Sequence, residues 1–274
     1  RSLDFRNGEQ ILYVDASIGN QADKMNIFLE KFQLDNLNPF LTGFDLSFQG
    51  LMTEGYIDVS DREGYPIIET NINIEDLQMD NDTLGDLKLL SENTSGLYAV
   101  DIQGNIKNGL LNDLEILGKI DFEDKKSPLD LSLKTRKSSI KPFEKYLSGL
   151  ASNISGYSYT DISISGPLTS PQLKGEIRLD SLNFMVDYLQ TSYNGNATVD
   201  VDYNQFALSS ATLYDRFGKK GIATGKVSHR NFHDFLFDIS IFDLENFEIM
   251  NTSREDNDLF YGTAFVDGKM HVSG

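Results

Sequence analysis

Apolar and polar residues alternate with a period of two along most of this chain, and no other feature constrains its fold as tightly. Leu114, Ile116, Gly118, Ile120 and Phe122 share one parity, with Glu115, Lys119, Asp121 and Glu123 on the other. Leu129, Leu131 and Leu133 alternate with Asp130, Ser132 and Lys134, and Ile162 and Ile164 with Asp161, Ser163 and Ser165. Ala197, Val199, Val201 and Tyr203 alternate with Thr198, Asp200 and Asp202, and Phe235, Phe237, Ile239 and Ile241 with Leu236, Asp238, Ser240 and Phe242. Successive side chains on a strand point to opposite faces, so each run predicts a strand with one apolar and one wet face. Strands buried on both faces of a parallel sheet would read as continuous apolar runs, so the expected sheet is antiparallel.

Turn dipeptides fall between these runs: Asn108-Gly109, Asn194-Gly195, Phe217-Gly218 and Asp267-Gly268. Their short spacing predicts a meander in which each strand pairs with its sequence neighbour. A chain of 274 residues would then hold on the order of 20 strands of ordinary length.

Two segments break the alternation. One is Asn36-Leu37-Asn38-Pro39-Phe40-Leu41 and the other runs from Ser138 to Leu150. In the second, Ser139 can cap, Pro142 sits in the first turn, and Phe143, Tyr146, Leu147 and Leu150 fall at helical spacing. Short amphipathic helices are expected at both. The segments also resemble each other: each follows a strand, carries a Pro-Phe pair and leads through a glycine, Gly50 or Gly156, into an alternating strand. The implied period of about one hundred residues suits a module of several strands and one helix rather than a short solenoid repeat.

Composition narrows the function. The net charge is −18, which argues against nucleic acid and against direct docking on an anionic membrane surface. There is no cysteine, which removes disulfides, thiolate metal sites and cysteine nucleophiles. No apolar run is long enough to span a bilayer as a helix. The chain opens at Arg1 and closes on Met270-His271-Val272-Ser273-Gly274, which is expected to be part of a strand in a longer protein.

Catalytic signatures are not found. His229 and His233 are four apart but lie in a turn between strands, so helical metal-ligand spacing has no meaning there. Carboxylates are abundant, yet Trp is absent, and no nucleophile elbow, P-loop or dinucleotide fingerprint is present. The expectation is a protein that is not an enzyme and carries no cofactor and no metal. Asp215-Arg216-Phe217-Gly218-Lys219-Lys220-Gly221 is expected to be a polar hairpin tip.

Three stretches, taken in order and spacing, resemble the C-terminal region of the TamB family within the AsmA-like group. The first is Ser165-Gly166-Pro167-Leu168-Thr169-Ser170-Pro171-Gln172-Leu173-Lys174-Gly175, running on to Phe184. The second is Leu213-Tyr214-Asp215-Arg216-Phe217-Gly218, leading to Gly221-Ile222-Ala223-Thr224-Gly225-Lys226-Val227-Ser228-His229. The third is Asn257-Asp258-Leu259-Phe260-Tyr261-Gly262-Thr263-Ala264. Residues 150–274 carry the resemblance; residues 1–149 form a β-rich module of looser texture, and the two are expected to make one continuous elongated sheet.

The resemblance implies a parent protein anchored in the inner membrane of a Gram-negative bacterium and crossing the periplasm. It implies work with a BamA-type outer-membrane barrel protein, in assembly of outer-membrane proteins and in phospholipid transfer. The implied fold is mainly β: an elongated antiparallel meandering sheet curled into a trough with an apolar interior, with one or two short amphipathic helices. Val199 with Val201, Phe206 with Leu208, and Phe237, Ile239 and Ile241 share parity; together with Leu179 and Phe184 they are the expected groove lining, for phospholipid acyl chains or outer-membrane protein strands. Periodicity alone favours a core filled by its own side chains, and the resemblance reverses that. The rival reading is a periplasmic or extracellular β-sheet binding module, an adhesin or glycan-binding scaffold, with its function on loops.

Overall fold

A computed structural model describes residues 1–17, 23–40, 47–80, 82–94, 96–230, 233–256 and 261–274. Leu41 of the first Pro-Phe segment and residues 257–260 of the third resembling stretch lie outside the described residues. The chain is mainly β: a single antiparallel meander of sixteen strands in strict sequence order, not closed into a barrel. The described strands reach up to 20 residues, so there are fewer and longer ones than the turn spacing suggested.

The chain falls into two compact units, residues 1–136 with 163–171, and residues 137–162 with 172–274. The first opens with β1 (Ser2–Asn7), β2 (Gln10–Ser17) and β3 (Lys24–Gln33) and continues through β4 (Phe48–Arg62), β5 (Tyr65–Met79) and β6 (Asp82–Glu92). β7 (Ala99–Lys107), β8 (Leu114–Asp121) and most of β9 (Leu129–Ser139) complete its sheet. The second holds most of β10 (Ala151–Gly166), then β11 (Gln172–Val186), β12 (Thr191–Asp202) and β13 (Gln205–Asp215). β14 (Lys220–Arg230), β15 (His233–Thr252) and β16 (Gly262–Ser273) follow.

Register explains why the alternation reads so clearly. Residues directly opposite in an antiparallel pair share a face. Phe5, Leu12, Leu29, Gly55, Ile72, Leu89, Gly104, Ile116 and Leu133 stand opposite one another in turn across β1 to β9. An apolar row, broken only by glycines, therefore crosses nine strands of the first unit. Its core gathers Leu29, Phe32, Leu34, Met52, Ile74, Leu77 and Leu84.

Both helical segments exist, but as 3-10 helices, Leu34–Phe40 and Lys141–Leu147. In the first, Leu34 is buried in the core, and the Asn38 side chain both donates to the Phe48 carbonyl and accepts from the Phe48 N–H, at 2.9 and 2.8 Å. In the second, Pro142 is the buried residue, and Phe143, Tyr146, Leu147 and Leu150 lie exposed. The apolar stripe of the expected amphipathic helix therefore points outward. Seven residues of 3-10 geometry place i and i+3 in line and cannot present a broad α-helical face inward. The cap position is Ile140, with the Ser139 hydroxyl accepting the Lys141 N–H at 3.2 Å.

Two of the four turn dipeptides are not turns. Asn108-Gly109 and Phe217-Gly218 do lie between strands. Asn194-Gly195 lies inside β12, where a Cβ on Gly195 would collide with the Thr212 carbonyl oxygen. Asp267-Gly268 lies inside β16, at a register slip against β15, with Gly268 at φ 97°. Tyr203, read as the end of a strand, sits in the β12–β13 turn.

The repeated segments match in local geometry. Gly50 in β4 has φ 134° and packs on the backbone at Asp76 of β5, itself left-handed at φ 50°. Gly156 in β10 has φ 130° and packs on the backbone at Ser181 of β11, left-handed at φ 53°. Each pair is a bulge faced by a glycine, a device that bends a strand and tightens its twist.

Candidate functional site

The candidate site is the apolar face of β11 to β16 in the second unit. Leu179, Ala197, Ala211, Ala223, Ile241 and Met270 stand opposite one another across six strands. The next row is Ile177, Val199, Leu208, Gly225, Ile239 and Val272. The next is Val201, Phe206, Val227 and Phe237. Phe184 pairs with Tyr193, on the other side of the alanine row. The register therefore places all nine expected lining residues on one face.

That face is filled at one end and open at the other. At the filled end β15 folds back over β12: the Tyr193 and Phe247 rings stack with centroids 5.4 Å apart, and the Tyr193 hydroxyl donates to the Glu248 carbonyl at 3.0 Å. Phe247 is 0% exposed and Ala223 1%. Alanines in the floor leave space that Leu179, Phe184, Leu208 and Ile241 occupy by packing on the buried cluster. Gly221 does the same for Leu244, since a Cβ there would lie 2.7 Å from its Cδ2. Toward the other end Val199, Phe206 and Ile239 are half-buried, and Phe237 and Val272 are 39% and 42% exposed. Val201 is buried, so four of the nine pack into self-filled core, one is covered, and the rest face an opening.

Polar groups lock the filled end. Asp215 is buried; its Oδ1 accepts the Phe217 and Lys219 N–H groups and its Oδ2 the Glu248 N–H. Glu248 is also buried and takes the Arg216 guanidinium on Oε1 at 2.6 Å. Arg216 further donates to Asn251 Oδ1 at 3.1 Å. The hairpin read as a bare polar tip thus ties the β13–β14 turn to β15. Burial raises the Tyr193 phenol above its ordinary value of 10.

At the open end, His229 packs between Phe206 and Phe235, at centroid distances of 5.1 and 5.9 Å. Burial lowers its imidazole below 6.5. The His233 side chain lies outside the described residues, and among the described ones no group of three His, Asp or Glu side chains is arranged to hold a metal ion. A cleft of about 460 Å³ in the first unit is lined by Gln33, Gln49, Gln78 and Glu75, and a polar one of about 370 Å³ lies on the wet face of β13 to β15, lined by Gln205, Lys226, Asp238 and Ser240.

Sequence reasoning missed Tyr193 and Phe247, the residues that plug one end. Tyr193 has the parity of Val199 and Val201 and was within reach. Phe247 was too, because the bulges at Asp243 and Asn246 shift the parity of β15 twice and return it to that of Ile239 and Ile241; the residue they hide is Leu244. No helix among the described residues is long and apolar enough to cross a membrane. No family model, curated protein or solved structure matches the chain.

Proposed function

We propose that this chain is a segment of a TamB-like protein that crosses the periplasm and supports outer-membrane biogenesis, its apolar β-face guiding hydrophobic cargo between membranes. Phospholipid acyl chains are the cargo argued for, with outer-membrane protein strands the alternative. Its partner is a BamA-type barrel protein and its parent is anchored in the inner membrane. Catalysis has no part in this function.

The observation that carries the reading is the open end of the face, where Val199, Phe206, Ile239, Phe237 and Val272 remain incompletely covered. A self-filled sandwich would cover them. Each acyl methylene settling there recovers about 0.8 kcal/mol. The test is organic extraction of the purified chain followed by mass spectrometry. Phospholipid should co-purify, Ile239→Asp should lose it, and Asp200→Arg on the wet face should keep it. Lipid-free protein, or Ile239→Asp that folds and retains lipid, contradicts the proposal.

The rival binding-module reading rests on Phe217, 58% exposed on a hairpin turn with the Arg216 guanidinium 4.8 Å from its ring centroid. Glycan-array binding abolished by Phe217→Ala would favour it.

A further inference from the structure

The second 3-10 helix brings exposed apolar side chains and exposed cations onto one patch. Phe143, Tyr146, Leu147 and Leu150 are 50%, 63%, 43% and 67% exposed. In 3-10 geometry i and i+3 align, so Phe143 and Tyr146 form one ridge, and the turn that follows the helix brings Leu150 back to Leu147 as a second. The ridges are anchored rather than loose. Phe143 N–H donates to the Ile140 carbonyl and Leu150 N–H to the Leu147 carbonyl, at 3.0 and 2.9 Å, above a buried Pro142. The Leu150 carbonyl accepts the Asp187 N–H at 3.1 Å, which brings the β11–β12 turn and its exposed Tyr188 alongside.

The charge of this patch opposes that of the chain. Between residues 137 and 150 the cations are Lys137, Lys141 and Lys145 and the one acid is Glu144, in a chain with 24 Lys and Arg against 42 Asp and Glu. All three lysines are exposed. Lys145 lies over the Tyr146 ring and Lys137 over the Tyr157 ring, at 5.1 and 4.7 Å. The Glu144 carboxylate accepts the Asn153 N–H at 2.9 Å, and the Asp187 carboxylate accepts the Ser152 hydroxyl at 2.5 Å.

We infer that this patch docks on the surface of an anionic phospholipid bilayer. Large apolar side chains this exposed project from the surface, which suits insertion at the boundary of headgroups and acyl chains. Lysine is depleted in protein–protein interfaces. At a membrane surface its stem lies along apolar matter while its ammonium reaches anionic headgroups. The net charge of −18 does not forbid this, because screening over about 8 Å leaves local charge to decide at contact. The inference stands apart from the groove reading, since a chain with no lipid in its sheet can still dock through this helix.

The absence of tryptophan makes Tyr146→Trp a site-specific reporter, with Tyr203→Trp in the β12–β13 turn as control. With mixed phosphatidylglycerol–phosphatidylcholine vesicles, Tyr146→Trp emission should shift to the blue and Tyr203→Trp emission should not. Pure phosphatidylcholine should give no shift. Adding Lys137→Glu and Lys145→Glu should weaken binding by more than about tenfold. Flotation of the unaltered chain with the same vesicles guards against an effect of the tryptophan, and Leu147→Ser with Leu150→Ser should abolish it. An unaltered chain that fails to float with anionic vesicles overturns the inference. So does binding that survives the charge reversals, or a control that shifts as far as the reporter.

Discussion

Gly156 has no room for a Cβ: one built there would meet the Ser181 carbonyl oxygen at 2.8 Å, at a φ of 130°. Gly8 is also left-handed, at φ 61°, but nothing lies within 4 Å of its Cβ position. Gly156→Ala should therefore cost about 2–3 kcal/mol, from strain and collision together, and Gly8→Ala about 1 kcal/mol. Urea denaturation of the two variants checks the difference; equal losses would mean that the bulge is not a close approach. The acids and amides are explained by the same geometry. Asp76, Asp80, Asp113, Asp234, Asp243, Asn108, Asn153 and Asn246 all adopt positive φ, a conformation their short side chains tolerate better than most. Part of the acid surplus thus makes turns and bulges rather than a reacting site. His229 offers a test by pH. Its folded imidazole is held below 6.5 by burial, so the unfolded chain binds the extra proton between that lowered value and about 6.5. Its contribution is complete above this window and shrinks as the pH falls through it. His229→Phe should flatten that part of the curve of melting temperature against pH, and an unchanged slope would show that the ring is solvated.

Strands were legible because one face of each is wet, so parity survives over long stretches. Parity fails where a bulge inserts a residue, as at Ser209–Ser210 between Leu208 and Ala211, and at Asp243 and Asn246 in β15. Gly268 looks like a turn glycine in sequence because a bulge and a turn ask the same thing of the backbone, whereas Gly195 is required by the close approach of the Thr212 carbonyl. The long-range tie from the β13–β14 turn to β15 was not legible, because nothing local in Arg216 points to Glu248. That tie should matter to the element it holds. Arg216→Ala leaves the Glu248 carboxylate buried without its partner, at a cost of about 2 kcal/mol, limited because the guanidinium is 43% exposed. Hydrogen exchange should then rise at the β13–β14 turn and along Phe247–Asn251. Loss of stability with no local change in exchange would put the effect elsewhere.

Across the molecule, the meander and its apolar face follow from the alternation, while the degree of filling does not. Parity assigns Leu179 and Ile239 to the same face, but the alanine row and the Tyr193–Phe247 stack decide that Leu179 packs into core and Ile239 borders an opening. Val201→Asp would accordingly test folding rather than transport, because Val201 is buried and an unpaired charge there costs several kcal/mol. The central claim is that acyl chains occupy the open part of this face. A photo-crosslinking amino acid at Ile239, on the open part of the apolar face, and at Ser240, on the wet face, tests it most directly in cells producing the chain. Phospholipid crosslinked at 239 and not at 240 is the predicted result, and equal crosslinking at both, or at neither, would contradict it.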